Sequence, residues 1–336
     1  MRASFHPRLV NPPLEDPILF IPFFFQKRAL LFDMGDLHRL PPKEMLKITH
    51  GFVTHTHMDH FTGFDTLLRI FLGRQKTFYV YGPPGFLQNI EGKLASYTWN
   101  LVENYSYGFV LKATEVHPTH TLNQAYDCRR KFVATGPPVK APFDGILLAE
   151  PAFSVHAIHL DHKVPCLGLN LEERFHINIM KDGLKRLEIP VGPWLRHLKQ
   201  ALYEECDADT DFQVVWKEAG KEHKRGFRLG DLADQIAQIS PGQKITYIVD
   251  VAFGHENVDK IIDFARNADH LFIEAAFLEA EIDIARDKYH LTARQAGIIA
   301  RKAGVKRFTV FHFSPRYAHN PLLLEQEAAR AFAETP

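Results

Sequence analysis

An α/β fold with polar chemistry gathered at strand ends is what this 336-residue sequence predicts, on three observations. Short apolar runs of strand length alternate repeatedly with stretches of helical apolar spacing. One such run, Gly51-Phe52-Val53, leads into His55-Thr-His57-Met-Asp59-His60, four metal-type side chains within six residues, followed by Gly63. Three later buried-type runs also deliver a carboxylate or an imidazole at or near their ends, at Asp250, Glu274 and His312. Strand, helix and returning strand bring such distant residues to one sheet edge.

The run at 55–60 is the most specific feature. Residues i and i+2 of an extended segment point to the same side, so His55 and His57 can close on one ion. Helical spacing resumes at Phe64, so the chain turns after His57, and Asp59 and His60 can swing toward a second ion. Imidazole and carboxylate donors suit zinc or a similar borderline metal, and two neighbouring ions make a hydrolytic site. The competing reading is a His-rich polar loop in a chain that has 19 His in all. Close packing of His-x-His-x-Asp-His at a strand end argues against it.

Composition excludes several classes. Forty basic and forty acidic residues cancel, which does not indicate a globally basic nucleic-acid binder and leaves room for a local basic patch. Cys128, Cys166 and Cys206 lack paired spacing, which excludes a disulfide framework or a cysteine-based zinc site and fits a reducing cytoplasm. The apolar run Ile18 to Phe25 is interrupted by Pro22 and too short to span a bilayer, so it predicts an edge strand or hairpin rather than a membrane segment or signal peptide. There is no internal repeat or low-complexity tract.

Taken in order, Ala29–Asp33 reads as a buried strand ending in a carboxylate, and Thr77–Tyr81 as a strand stopped by Gly-Pro-Pro-Gly85 before a helix from Phe86. Residues 105–150 contain strand-like runs that resist finer placement. Phe153 to Leu160 alternates in the strand period and leads to Asp161-His162, so His156, His159 and His162 are candidates for a third ligand to the first ion. Lys244–Asp250 is a buried-type strand whose terminal carboxylate can bridge two ions, one oxygen to each. Tyr289-His290-Leu-Thr292 opens a helix with Ala296, Ile299 and Ala300 on its buried face.

His55-x-His57-x-Asp59-His60 resembles the signature of the metallo-β-lactamase superfamily. Three further segments resemble ribonuclease Z sequences: Leu187-Glu-Ile-Pro-Val-Gly-Pro193, Glu274-Ala-Ala-Phe277 and His312-Phe-Ser-Pro-Arg316-Tyr317. Ile-Val-Asp250-Val-Ala stands where that family usually has Ser-Gly-Asp-Thr, and Thr-His-Met-Asp replaces its commoner Leu-His-Gly-Asp. The resemblance implies a single four-layer αββα sandwich over residues 1–336, two mixed sheets inside and helices outside, with an inserted arm at about 174–240. It implies that His55, His57 and His162 hold one ion, that Asp59, His60 and His312 hold the other, and that Asp250 bridges. The two ions are expected to be zinc, with manganese or iron(II) as alternatives, and Asp33 to support the metal loop. Asp59 would help activate water, His290 would be the general acid and Glu274 its orienting partner.

In ribonuclease Z the arm holds transfer RNA, which makes Lys217, Lys221, Lys224, Arg225 and Arg228, with Arg316 near the C-terminus, candidate phosphate contacts; read alone, the run at 217–228 is a solvated face diluted by Glu218 and Glu222. The expected activity is removal of 3′ trailers from precursor transfer RNA by a cytoplasmic homodimer. A hydrolase of a small phosphodiester or another ester is the alternative.

Overall fold

The computed structural model describes residues 4–24 and 26–334. By compactness it divides into two units, one comprising Phe5–Leu147, Val155–Leu171 and Lys244–Pro336, the other Met1–Ser4, Leu148–Ser154 and Glu172–Gln243.

In the larger unit, two sheets form the inner layers. An eight-stranded sheet runs in chain order from Arg8–Leu9 through Leu19–Pro22, Ala29–Phe32, Ile48–Phe52, Lys76–Gly82, Phe109–Val116 and His120–Asp127 to Val139–Pro142. Its middle pairings are parallel and its outer ones antiparallel, so it is mixed. The second sheet has the order Phe308–Phe311, His270–Glu274, Lys244–Ile248, Pro165–Glu173, Phe153–Asp161, Ile146–Glu150. Its first three strands are parallel, joined by the helices His255–Phe264 and Ala293–Lys302.

Burial on both faces explains the composition of the central strands. Ala29–Phe32 and His270–Glu274 are buried throughout, as strands covered on both sides must be. Helices Phe64–Phe71 and Phe86–Ala95 bury Phe64, Leu67, Leu68, Phe71, Phe86 and Ile90 against the first sheet. Ala293–Lys302 and Leu322–Ala333 bury Ala296, Ile299, Ala300, Leu324 and Ala328 against the second. Each fully buried large apolar side chain contributes about 1.5–3 kcal/mol. Between the sheets the Tyr247 ring lies 6.0 Å from Phe32 and 5.2 Å from Phe311. The result is the αββα sandwich.

The apolar run near the N-terminus forms the strand Leu19–Pro22, paired on one side with Arg8–Leu9 and on the other with Ala29–Phe32, so it is one place in from the edge. Phe25 lies outside the described residues. The segment 105–150 resolves into the hairpin of Phe109–Val116 with His120–Asp127, followed by Val139–Pro142 and Ile146–Glu150.

The smaller unit has its own core of Leu184, Ile189, Trp194, Leu198, Val214, Leu229, Leu232 and Ile236. Its elements are the helices Lys181–Arg186, Trp194–Tyr203 and Leu229–Ile236, the pair Phe175–Ile179 with Ala237–Pro241, and the hairpin Asp211–Glu218 with Lys221–Arg228. The hairpin turns through Ala219 and Gly220, at φ 48° and 80°, the two successive left-handed residues that suit the twist of a two-residue turn. No helix among the described residues is long and apolar enough to cross a membrane.

Candidate metal centre

The seven predicted ligands meet at one end of the strands, six after parallel strands and His162 in the turn between Phe153–Asp161 and Pro165–Glu173. The strand Ile48–Phe52 ends before Val53, the chain runs extended through His55 and His57, and a single helical turn, Met58–Phe61, presents Asp59 and His60. Two glycines make this turn fit. A Cβ at Gly63 would lie 2.2 Å from the Gly35 carbonyl oxygen, and one at Gly35 would lie 2.5 Å from the Asp59 carbonyl oxygen. The loop after Asp33 and the metal loop can therefore touch only where both lack side chains.

Three donor groups form among the described residues, one of them Asp250, Glu274, His290 and His312, and the other two gather the predicted ligands. His55, His57, His162 and Asp250 offer ligand atoms within 4.8 Å of one another, as do Asp59, His60 and His312. Asp250 stands between them: its Oδ2 is 3.3 Å from His55 Nε2 and 3.4 Å from both His162 Nε2 and His60 Nε2, while its Oδ1 is 3.1 Å from His312 Nδ1. Asp59 Oδ2 lies 3.3 Å from His312 Nε2 and 3.5 Å from His60 Nε2. Of the other candidates for a third ligand, His159 bonds the Val116 carbonyl oxygen, 3.0 Å away, and neither it nor His156 joins a donor group.

For His60, His162 and His55 the remaining ring nitrogen is held by the protein, which fixes which one faces the centre. His60 Nδ1 donates to Asp33 Oδ2 (2.9 Å), His162 Nδ1 to the Tyr289 carbonyl (2.8 Å), and His55 Nδ1 lies 3.2 Å from Thr54 Oγ1. Asp33 is itself saturated: it accepts from Thr54 N at 2.7 Å, Thr54 Oγ1 at 3.0 Å and Tyr247 Oη at 3.0 Å. His55 Nε2, His60 Nε2, Asp250 Oδ1 and His312 Nδ1 are buried and make no hydrogen bond. Such orphaned, mutually facing donors would each cost free energy unless a cation took them up, so the residues fit a pair of divalent ions.

Electrostatics agree for His55 and Asp250, while His60 takes a proton where a cation would otherwise lie. Burial pushes His55 down to about 4, so it is neutral and ligand-competent near pH 7, although Asp250 opposes the shift. Burial opposes ionisation of Asp250, but the facing His312 and His60 prevail and hold it well below the carboxylate range. Burial likewise disfavours charge on His60, yet Asp33 and Asp250 raise it.

The backbone is left-handed at non-glycine residues all around the centre: Asp33 (φ 58°), Asp250 (51°), His312 (60°), Lys163 (62°) and Tyr289 (61°). That conformation is uncommon for such residues; at Asp33, Asp250 and His312 it follows the end of a strand, and at Lys163 and Tyr289 it adjoins His162 and His290.

His290 and Glu274 adjoin the ligands. Glu274, fully buried, accepts from Val251 N at 2.7 Å with one oxygen and from His290 Nδ1 at 2.9 Å with the other. Burial works against the imidazolium, but Glu274 and then Asp250 outweigh it and raise His290 to about 9. His290 precedes its helix: Thr292 caps Ala293–Lys302 in a capping box with Gln295.

A cavity of about 300 Å³ opens onto Asp59, His290 and His312, walled also by Leu14, Asp16, Phe277 and Lys288. Sequence reasoning missed the loop carrying Leu14 and Asp16; its only signal was Pro12, Pro13 and Pro17, which mark a loop without saying where it goes.

The basic candidates are distributed otherwise. Arg316 pairs with Glu281 and lies 5.8 Å above the Phe277 ring. Strand alternation separates the arm residues. Lys217, Lys224 and Arg228 share one face of the hairpin, while Lys221 and Arg225 share the other with Trp216 and Phe227. Lys224 pairs with Glu222 at 3.0 Å, Arg228 with Asp211 at 3.0 Å, and Arg225 donates to the Leu187 carbonyl at 2.7 Å.

No protein-family model matches the chain. It is 30% identical to ribonuclease Z of Synechocystis sp. over 318 residues, 91% of this chain and 80% of that protein. It is 28% identical to ribonuclease Z of Deinococcus radiodurans over 291 residues, 86% of this chain and 83% of that protein. Among solved structures, the metallo-β-lactamase fold protein YhfI of Bacillus subtilis matches with a TM-score of 0.56 at 14% identity, over 99% of this chain and 94% of that one. The short form of human tRNase Z matches at 0.50 and 18%, over 94% and 93%. At those identities the structures speak for the fold.

Proposed function

Because the chain belongs to the ribonuclease Z family, we propose that this metal-dependent hydrolase removes 3′ trailers from precursor transfer RNA as an endoribonuclease. The observation that carries the proposal is Asp250 standing between two donor groups, with His290 and Glu274 against it. His55, His57, His162 and Asp250 would hold one ion, and Asp59, His60, His312 and Asp250 the other. Zinc suits their imidazole-rich donor set. When bound, such a pair lowers the pKa of an intervening water and neutralises the non-bridging oxygens of a phosphodiester.

The protein's own groups handle the protons. Asp59 lines the cavity and would act both as a ligand, through Oδ2, and as acceptor of the proton of the attacking water. The water oxygen bonds to phosphorus and the bond to the 3′ oxygen breaks. His290, with Nδ1 committed to Glu274, presents its other nitrogen and gives that oxygen its proton. The products are a 3′-hydroxyl on the transfer RNA and a 5′-phosphate on the trailer. Lys217, Lys224 and Arg228 of the smaller unit, which share one face of its hairpin, serve as RNA contacts, and the protein works in the cytoplasm as a homodimer.

A small phosphodiester is the second reading. It draws support from the carboxylates of Glu15 and Asp16 in the cavity wall, which disfavour a polyanion there, and from the balanced net charge. Cleavage of a 3′-extended precursor transfer RNA by metal-loaded protein, beside turnover of bis-(p-nitrophenyl) phosphate and with Asp59→Ala as control, separates the two. RNA cutting lost in the control supports the first; diester turnover without RNA cutting leaves only the second.

A further inference from the structure

We propose that Lys288 is a substrate-contact residue whose ammonium takes the phosphate neighbouring the scissile one. This deepens the nuclease reading and rests on it.

The cavity beside the metal centre is lined by both signs of charge, but only one side of the balance is spent. Glu15 is gripped by Arg39 through two contacts of 2.9 and 2.7 Å, and Asp16 accepts from Asp36 N at 3.0 Å. Nearby cations are likewise engaged: Arg316 with Glu281, and Arg286 with Asp283 at 3.0 Å. Lys288 makes no ion pair among the described residues and is exposed, yet it lines the same cavity as Asp59, His290 and His312.

Its position is defined by chemistry that leaves the charge available. Lys288 Nζ lies 6.0 Å from the centroid of the buried Phe277 ring, and that ring is 6.2 Å from the ring of His290. An ammonium over an aromatic face is steadied without being neutralised. Lys288 ends the short helix Ile282–Asp287, and the left-handed Tyr289 then turns the chain inward to His290. The cation and the acid thus leave one strap, one toward the cavity mouth and the other toward the reacting phosphate. A polynucleotide carries a negative charge at every residue, so a strand laid across the centre places its next phosphate within reach of an unspent cation at the mouth. Lysine serves there as a point charge, tolerant of orientation.

The test uses metal-loaded full-length protein turning over bis-(p-nitrophenyl) phosphate, inhibited by 2′-O-methyl UpU, with one phosphodiester, or UpUpU, with two. For the wild type, UpUpU should inhibit about tenfold more tightly than UpU, the scale of one charge-assisted contact. Lys288→Ala should bring that ratio to about twofold, Lys288→Arg should restore it, and the salt dependence of UpUpU inhibition should flatten in Lys288→Ala by about 0.7 in log–log slope. Comparing a ratio within each variant removes any general effect on folding or metal loading. An unchanged ratio in Lys288→Ala, or a wild type that does not distinguish the two inhibitors, overturns the proposal. Failure to cut precursor transfer RNA would instead defeat the substrate reading and leave the inhibitor ratio to decide on Lys288.

Discussion

Glu274 holds His290 with one carboxylate oxygen, at 2.9 Å, while its other oxygen holds the backbone of Val251, at 2.7 Å, one residue past Asp250. A single buried carboxylate thereby fixes the spacing between His290 and the residue that stands between the His55 and His60 groups. Its negative charge also keeps the imidazolium protonated.

The pH dependence follows from that charge. His290 is raised to about 9, so its acid form persists through neutrality and is lost as pH rises through that value. Activity limited by the general acid should fall above about pH 9. Glu274→Gln keeps a hydrogen-bonding oxygen but removes the charge, so the alkaline limb should move toward neutral pH; a limb at the same pH would show that Glu274 does not set it.

Asp33 is expected to control the second donor group from outside it. It accepts from Tyr247 Oη and from His60 Nδ1, so Tyr247→Phe leaves Asp33 short of one donor and loosens the orientation of His60. Partners behind a ligand are typically worth about 10- to 100-fold in metal affinity. Zinc titration of Tyr247→Phe should show one site weakened on that scale and the other retained. Equal weakening of both would point to general disturbance.

Acid stability should depend on His50. Burial, aided by Arg28 and Lys76, pushes its pKa down to about 3, and its ring stacks on Tyr79 at 4.7 Å. Between pH 6.5 and about 3 the unfolded chain binds a proton here that the folded chain refuses, so stability falls with falling pH, by up to about 1.4 kcal/mol per unit. Chemical denaturation of His50→Phe across that range should give a shallower decline, and an identical slope would exclude the residue.

In the smaller unit, the hairpin face bearing Lys217, Lys224 and Arg228 is the one expected to meet RNA, because Lys221 and Arg225 share their face with Trp216 and Phe227, which pack on that unit's core. Charge reversal of Lys217 and Lys224 should raise KM for the precursor about tenfold and flatten its salt dependence, with a smaller effect from Lys221. The reverse ranking in steady-state kinetics at two salt concentrations would exchange the faces.

What the sequence disclosed followed the range of the interaction. His55, His57, Asp59 and His60 are legible because they are close in the chain and their spacing alone dictates which can converge. Asp250, Glu274 and His312 are legible as polar ends of apolar strands. The Asp33–Tyr247 contact spans 214 residues and joins two sheets, so no local pattern announces it. His162 could be separated from His156 and His159 only through the family resemblance, since all three lie on or just past one alternating strand. The basic run at 217–228 reads as one cluster in sequence, but the two-residue turn at Ala219-Gly220 and period-two alternation divide it between two faces. Lys288 had no signal, because its significance lies in neighbours being paired while it is not.

The most direct measurement is end analysis of the products when metal-loaded protein cuts a 3′-extended precursor transfer RNA in a single turnover. Protonation of the 3′ oxygen by His290 predicts one cut after the mature transfer RNA body, leaving a 3′-hydroxyl there and a 5′-phosphate on the trailer. A 2′,3′-cyclic phosphate, or an uncut precursor beside active turnover of a small diester, would contradict the account.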